Sequence, residues 1–396
     1  MKTEEQHGAG AAAETSGQYF QAARKSVSTF WERVSDGLQL GELWNQFAEE
    51  ARAGYGHYSK EVDWEKLSQE KGLRRGALVA RSLFWALLMK LSPARRVFLI
   101  FLLALLGLNL LGVRTFGWPL WADILAVATG LFILLALELA DRVTMKRDLE
   151  IARDIQSWLV PARPPAVEGV DIAFATRPAN TVAGDFFDAF LRAPSAAAAH
   201  GSDGQGRLLL TVADVAGKSV PAALLMATFQ ASLHTLASSP IDLLGLVRGL
   251  NRYASAHSLG GVRFTTAFLA EYDRATRTLH YVNAGHNAPV LRRVSGAVER
   301  LEAQGVPLGI RAEEPYSLQA LPLQRHDVLV IFTDGVVETF NAGNEEYGDA
   351  RLKDLLNVVP GESAEQILRH LFADVDRFAG GVRQNDDMTC LILRVV

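Results

Sequence analysis

Two apolar runs, separated by a five-residue connector, constrain this chain more than any other feature. Val97 to Val113 (V-F-L-I-F-L-L-A-L-L-G-L-N-L-L-G-V) carries no charge, and Pro119 to Leu139 carries only Asp123 near its start and Glu138 near its end. Each is close to the ~17–25 residues that a helix needs to cross a hydrocarbon core. Only R-T-F-G-W joins them, so they are predicted to form a membrane hairpin with Trp118 and Trp121 at the far interface. Lys90, Arg95 and Arg96 precede the first run, and Arg142, Lys146 and Arg147 follow the second, whereas the connector offers only Arg114. The positive-inside rule then puts both chain ends in the cytoplasm, as expected for a multi-pass protein of the inner (cytoplasmic) membrane. The competing reading is a helical hairpin buried in a soluble domain, which would need an unusually large core. Asp123 and Glu138 lie near the span ends and are read as interfacial rather than as an intramembrane site.

The hairpin divides the 396 residues into four parts. Residues 1–80 are expected to be a cytoplasmic helical region. Its first 18 residues are small and polar, the composition of a disordered tail, and from Tyr19 to Gln69 apolar residues recur at helical spacing. Residues 81–140 hold the hairpin, with Ser82 to Leu91 as a candidate interfacial helix before the first span. Residues 141–160 are a helical linker ended by Pro161. Met145, Leu149, Ala152, Gln156 and Leu159 are spaced 4, 3, 4, 3 along it. That spacing fits a short coiled coil that makes a homodimer, and equally one amphipathic helix packed on its own domain.

Residues 161–396 form the folded domain. Strands are predicted at Leu208–Val212, Phe264–Tyr272, Thr278–Asn283, Val290–Arg293, Val328–Phe332 and Cys390–Val395. Helices are predicted at Val220–Leu236, Ile241–His257, Ala350–Val358 and Ser363–Phe378. Hairpins mixed with helix pairs argue for α+β rather than a doubly wound parallel sheet. The small, glycine-rich residues 194–206 read as a hairpin tip.

Within this domain four aspartates fall where apolar strands are predicted to end. They are Asp185 in V-A-G-D-F-F-D, Asp214 in L-L-L-T-V-A-D-V-A-G-K, Asp334 in V-L-V-I-F-T-D-G and Asp386 in Q-N-D-D-M-T-C-L-I-L. Carboxylates delivered to one sheet edge repel one another unless a cation sits between them, and oxygen-only ligation selects magnesium or manganese. One cysteine, Cys390, excludes an internal disulfide framework and a multi-cysteine zinc site, and reads as a small buried hydrophobe. A net charge of -4 gives no global basic field and argues against a nucleic-acid partner. No P-loop is present, so direct attack by water suits the composition better than a covalent route.

In order, the motifs are E-I-A-R-D-I-Q-S-W-L-V-P, V-A-G-D-F-F-D, A-D-V-A-G-K-S-V-P-A-A-L, N-A-G-H-N-A-P, G-V-P-L-G-I, T-D-G-V-V-E-T and D-D-M-T. The series, over residues 147–396, resembles the SpoIIE/RsbU-type branch of the metal-dependent, type-2C serine/threonine protein phosphatases. The resemblance implies an α-β-β-α sandwich, two antiparallel sheets flanked by helix pairs, with two Mn²⁺ or Mg²⁺ ions sharing a water at one end. Asp214 would then bridge both ions, the Val215 carbonyl would complete the second, Asp334 and Asp386 would hold the first, and Asp185 would ligate an ion or hold its water. Asp387 is expected to support this set, Glu338 to support the Asp334 loop, and His286 to be a turn residue rather than a general acid. Lys218 is read as part of a regulatory or metal-adjacent loop rather than a phosphate ligand. Ala183 and Ser219 depart from the family pattern, each standing where glycine is usual. Ala183 is tolerated unless its φ is positive.

The resemblance implies hydrolysis of phosphoserine or phosphothreonine on a cytoplasmic regulatory protein, such as an anti-sigma factor antagonist, under control of the N-terminal region. Two other readings stand beside it: a non-catalytic membrane signalling scaffold with a phosphatase-like fold, and a metal-dependent hydrolase of small phosphoesters.

Overall fold

The computed structural model describes residues 81–82, 84–85, 88–113, 119–192, 206–217, 220–258, 263–359 and 362–396. The N-terminal region 1–80, the connector residues Arg114 and Trp118, most of the 194–206 segment, Lys218 and Ser219 lie outside them. Two compact units divide the chain at Leu139 and Ala140.

In the first unit, helix α1 (Pro93–Leu110) is followed by α2, which begins at Leu120. Both start next to a proline, which the first turn of a helix tolerates. Gly130 lets Leu102 pack against α2, since a Cβ there would lie 2.7 Å from a Leu102 methyl. Arg95 pairs with Glu138 at 3.2 Å. Asp123 is buried, and among the described residues neither of its carboxylate oxygens has a hydrogen-bond partner. The described residues between 81 and 90 are helical.

In the second unit, the alternation of strand side chains builds three cores. One five-stranded antiparallel sheet has the order β1 (Val170–Arg177), β10 (Met388–Val395), β9 (Val328–Phe332), β6 (Val290–Arg292), β7 (Val298–Arg300). The other runs β2 (Asp185–Arg192), β3 (Arg207–Val215), β4 (Thr265–Asp273), β5 (Thr278–Ala284), β8 (Gln319–Pro322). Along β3, Leu208, Leu210 and Val212 point into the core between the sheets, while Leu209, Ala213 and Val215 point to the other face. There they meet α3 (Val220–Ala237) and α4 (Leu243–Ala256), through Met226, Phe229 and Leu250 among others. Strand β10 divides in the same way: Leu391 and Leu393 face the other sheet, and Cys390 and Ile392 face α6 (Gly348–Val358) and α7 (Ala364–Ala379). Because both faces of each central strand are covered, these strands read as continuous apolar runs rather than as alternating ones. The layers are α-β-β-α, as expected.

The helices begin and end where local chemistry allows. Ser363 and Gln366 form a reciprocal capping box at the start of α7, and Gly380, in the left-handed region, closes it. Asp242 caps α4 through the Gly245 amide. Among the described residues, three helices are long and apolar enough to cross a membrane: α1, α2 and α3. Helix α3 buries Ala222, Met226, Phe229, Leu233 and Ala237 against its sheet, so its apolarity belongs to the domain core.

Helix α2 continues without a break to Leu159, so the linker is the end of the second apolar helix. Leu149, Ala152, Gln156 and Leu159, the predicted seam, are half-buried, whereas Met145 is exposed. The exposed apolar face of this segment is Ile151, Ile155 and Trp158.

At the end of β2–β3 where Arg192 stands opposite Arg207, a buried ion pair joins Arg192 to Glu271 at 2.7 Å, with Arg207 also on Glu271 at 3.5 Å. Removing the anion leaves a buried guanidinium without its charge partner. Glu271→Ala is therefore expected to cost about 3–5 kcal/mol in chemical denaturation of a 140–396 fragment, without changing the opposite end of the sheet.

Candidate functional site

Strand register brings the first two aspartates together. Asp185 opens β2 and stands directly opposite Asp214, near the end of antiparallel β3. The other two come from the second sheet. Asp334 lies two residues beyond the end of β9 and opens a one-turn helix, α5 (Asp334–Val337), and Asp386 lies two residues before β10. The expectation that all four lie at strand ends therefore needs correction: Asp185 and Asp386 sit at strand starts, and antiparallel pairing delivers starts and ends to one edge. Gly335 is required where the second-sheet loops meet, because a Cβ there would lie 2.1 Å from the Asp387 carbonyl oxygen.

A hydroxyl ties the two sheets at this edge. Thr333 donates its Oγ1 hydrogen to Asp185 Oδ2 at 2.8 Å, while Oγ1 accepts from the Thr389 amide at 2.9 Å. Asp185 and Asp387 are buried, while Asp214, Asp334 and Asp386 are partly exposed. Burial, and then the charge of Asp214, holds the Asp185 carboxyl well above the usual range. Burial pushes Asp214 up to about 7, followed by the charges of Asp334, Asp386 and Asp387. The charges of Asp334, Asp386 and Asp387 thus raise the cost of ionising Asp214 at this edge. Its donors are all carboxylate or carbonyl oxygens, with the Val215 carbonyl beside Gly184, and that set fits a hard divalent cation. Among the described residues, no three acidic, histidine or cysteine side chains converge closely enough to chelate one ion on their own. Divalent ions here would thus be held by carboxylates shared between them and by water.

The loop leading to Asp185 is gripped from two sides. Asp387 accepts hydrogen bonds from the Ala179 amide at 2.7 Å and the Gly184 amide at 2.6 Å, the supporting role expected of it. On the other side, Gln156 of α2 donates to the Ala183 carbonyl at 2.7 Å and accepts from the Ala183 amide at 3.0 Å. Sequence reasoning placed Gln156 in a seam and gave Thr333 and Thr389 no role, although both threonines stand inside the T-D-G and D-D-M-T motifs. Ala183 is not in the left-handed region, so its side chain is tolerated. The Glu338 amide bonds the Asp334 carbonyl at 2.8 Å, closing that loop. Cys390 is fully buried, and burial pushes its thiol up, away from any nucleophilic role.

His286 is a turn residue. Its amide bonds Asn283 Oδ1 at 2.8 Å, and its Nδ1 meets Thr266 Oγ1 at 2.9 Å. Burial lowers its pKa to about 4, so the ring is neutral near pH 7.

Comparison with known proteins agrees with the motif series. Residues 204–396 match the family described as Stage II sporulation protein E (SpoIIE). The chain is 26% identical to the phosphoserine phosphatase RsbU of Bacillus subtilis (strain 168) over 254 residues, 63% of this chain and 70% of that protein. The catalytic domain belongs to the SpoIIE/RsbU-type protein serine/threonine phosphatases. Protein IcfG of Synechocystis is also 26% identical, over 287 residues, but this chain spans only 43% of its length. The SiaA-PP2C domain of Pseudomonas aeruginosa shares the fold, with a TM-score of 0.55 and 20% identity over 65% of this chain and 99% of that domain.

The low pKa of His286 makes stability depend on pH in a defined direction. The unfolded ring takes a proton near 6.5 and the folded ring only near 4. Its contribution is complete above pH 6.5 and is lost as pH falls toward 4. Denaturation of a 140–396 fragment at stepped pH is expected to show His286→Gln losing less stability than the parent between pH 7 and 4.5. The difference between the two would be on the order of 3 kcal/mol.

Proposed function

We propose that this chain is a membrane-anchored, metal-dependent phosphatase that hydrolyses phosphoserine or phosphothreonine on a cytoplasmic regulatory protein. The observation that carries this reading is the pairing of Asp185 with Asp214, at the edge where Asp334 and Asp386 add their charge. In it, Asp214, the Val215 carbonyl, Asp334 and Asp386 would hold the ions together with water, and Asp185 would hold an ion or its water. Bound Mn²⁺ or Mg²⁺ supplies an activated water and neutralises the phosphoryl oxygens. Thr333 keeps Asp185 aimed, and Asp387 holds the loop that carries it. No protein nucleophile is invoked, in keeping with the buried Cys390.

The wide exposure of apolar residues on α1 and α2, such as Val97, Phe132 and Leu135, supports the membrane hairpin. The basic residues at its two outer ends support a catalytic domain on the cytoplasmic side. The regulatory-protein substrate, such as an anti-sigma factor antagonist, is what the motif resemblance implies, and the likeness to a phosphoserine phosphatase supports its phosphoserine part. A homodimer through the linker would use the exposed Ile151, Ile155 and Trp158, since the seam containing Gln156 faces its own domain.

The purified 140–396 fragment is expected to release phosphate from a phosphothreonine peptide with Mn²⁺ and to stop on chelation. Asp214→Asn should lower the rate on the order of 10²-fold or more. A folded fragment that leaves the peptide untouched, alone and in the full chain, would favour a scaffold. Faster turnover of nucleotides than of phosphopeptides would favour a small-phosphoester hydrolase.

A further inference from the structure

The faces that α1 and α2 turn to each other follow one seam. Leu102, Leu105 and Asn109 are buried on α1, and Asp123, Val127 and Gly130 on α2. The spacings, 3 and 4 on one helix and 4 and 3 on the other, are those of two antiparallel helices packed along a shared stripe. Two contacts fix the register. Leu102 packs where a Cβ on Gly130 would stand, and Arg95 pairs with Glu138 at 3.2 Å. Asn109 lies seven residues beyond Leu102, and Asp123 lies seven residues before Gly130. Seven residues are about two helical turns, so Asn109 and Asp123 face each other at one level of the seam.

At that level only acceptors are left over. The Leu105 carbonyl can only accept, so the Asn109 amide turns Nδ2 toward it, at 3.1 Å, and keeps Oδ1 for the seam. Asn109 Oδ1 and both Asp123 oxygens are buried and have no hydrogen-bond partner among the described residues. Asp123 is 1% exposed and Asn109 9%. The apolar side chains of Leu105, Ala122 and Ala126 line the adjoining groove. An aspartate in the first turn of a helix is ordinarily explained by the helix dipole, and Asp123 stands in the first turn of α2. The dipole accounts for its charge and still leaves three buried oxygens without a donor. The other end of the seam shows the contrast, because there the anion, Glu138, has its cation in Arg95.

We propose that Asn109 and Asp123 form a binding site for a monovalent alkali cation at the far end of the hairpin. Donors that are all oxygen select a hard cation. One carboxylate in apolar surroundings is neutralised by one positive charge, whereas a divalent ion would leave a charge there uncompensated. Water completes the shell, because Asn109 is one residue from the end of α1 and Asp123 is in the first turn of α2. The C-terminal end of α1 adds its partial negative charge at the same level. The side from which the cation arrives rests on the membrane-hairpin reading above: with both basic ends in the cytoplasm, it comes from the solution outside the cytoplasm. The site itself stands on the seam and belongs to the first unit, apart from the carboxylate edge of the second.

The test is binding of radioactive Na⁺ to the full chain in detergent micelles, with choline as the balancing cation and thermal unfolding of each sample. The parent is expected to bind Na⁺ saturably, with K⁺ competing and choline not. Asp123→Asn should abolish binding. Asn109→Ala should weaken it about tenfold or more, the scale of a lost bond to a charged group. Glu138→Gln, at the other end of the seam, should bind Na⁺ like the parent. A normally melting parent that binds no Na⁺ would overturn the proposal, as would displacement of Na⁺ by Ca²⁺ at lower concentration than by K⁺. Binding kept in Asp123→Asn and lost in Asp214→Asn would put the ion at the catalytic edge and overturn it as well. So would binding that appears only in Arg114→Gln, because the connector would then supply the counter-charge. If Asp123→Asn unfolds early, Asn109→Ala decides: parental affinity overturns the site, and weakened affinity in a normally melting protein supports it. Anchoring is read separately, from retention of the parent in lipid vesicles after an alkaline carbonate wash. Release with Na⁺ binding intact would remove the membrane reading and leave the site standing.

Discussion

Mutual repulsion among carboxylates is the constraint around which the catalytic domain is arranged. Asp185 and Asp214 face each other in register, and Asp334, Asp386 and Asp387 add charge to the same edge. Left alone, such a cluster opposes folding, and burial of Asp185 makes the opposition worse. The rest of the domain supplies what holds it: three apolar cores, two sheets clamped face to face, and a helix pair behind each sheet. These parts hold the carboxylates together at one edge against their mutual repulsion.

The site is assembled from two sheets that share no strand, so their joint at this edge matters. Thr333 provides it, bonding Asp185 of one sheet while receiving the Thr389 amide of the other. Gly335 lets the loops after β9 and before β10 approach to a distance that any side chain would block. Asp387 uses its charge on two backbone amides, which makes it a holder of the Asp185 loop. The helix that continues from the second apolar segment reaches the same loop through Gln156.

Much of this was legible in the amino-acid order. Val328–Phe332 was placed to the residue, and helix bounds such as Val220–Leu236 missed by little, because each element buries an unbroken or helically spaced apolar set. Strands β1, β2, β7 and β8 are not among those the sequence predicts. D-F-F-D-A-F-L-R reads as mixed, since Asp185 and Asp188 interrupt its apolar run, and β8 is short and partly exposed. The four aspartates were legible from their motifs, but not which of them begin strands, because that depends on pairing across 29 residues between Asp185 and Asp214. The role of Gln156 stays open in the sequence, because its 4, 3 spacing fits a coiled coil and a domain-packed helix equally well. Only the tertiary contact with Ala183 separates the two.

The most direct test of the central claim is thermal unfolding of the metal-free 140–396 fragment beside its Asp214→Asn variant, each with and without Mn²⁺. Asparagine keeps the shape of the side chain and removes one charge from the cluster. The account predicts that metal-free Asp214→Asn melts above the parent, and that Mn²⁺ raises the parent's Tm and leaves the variant's nearly unchanged. A variant that melts below the parent without metal, or that gains as much from Mn²⁺, would contradict it.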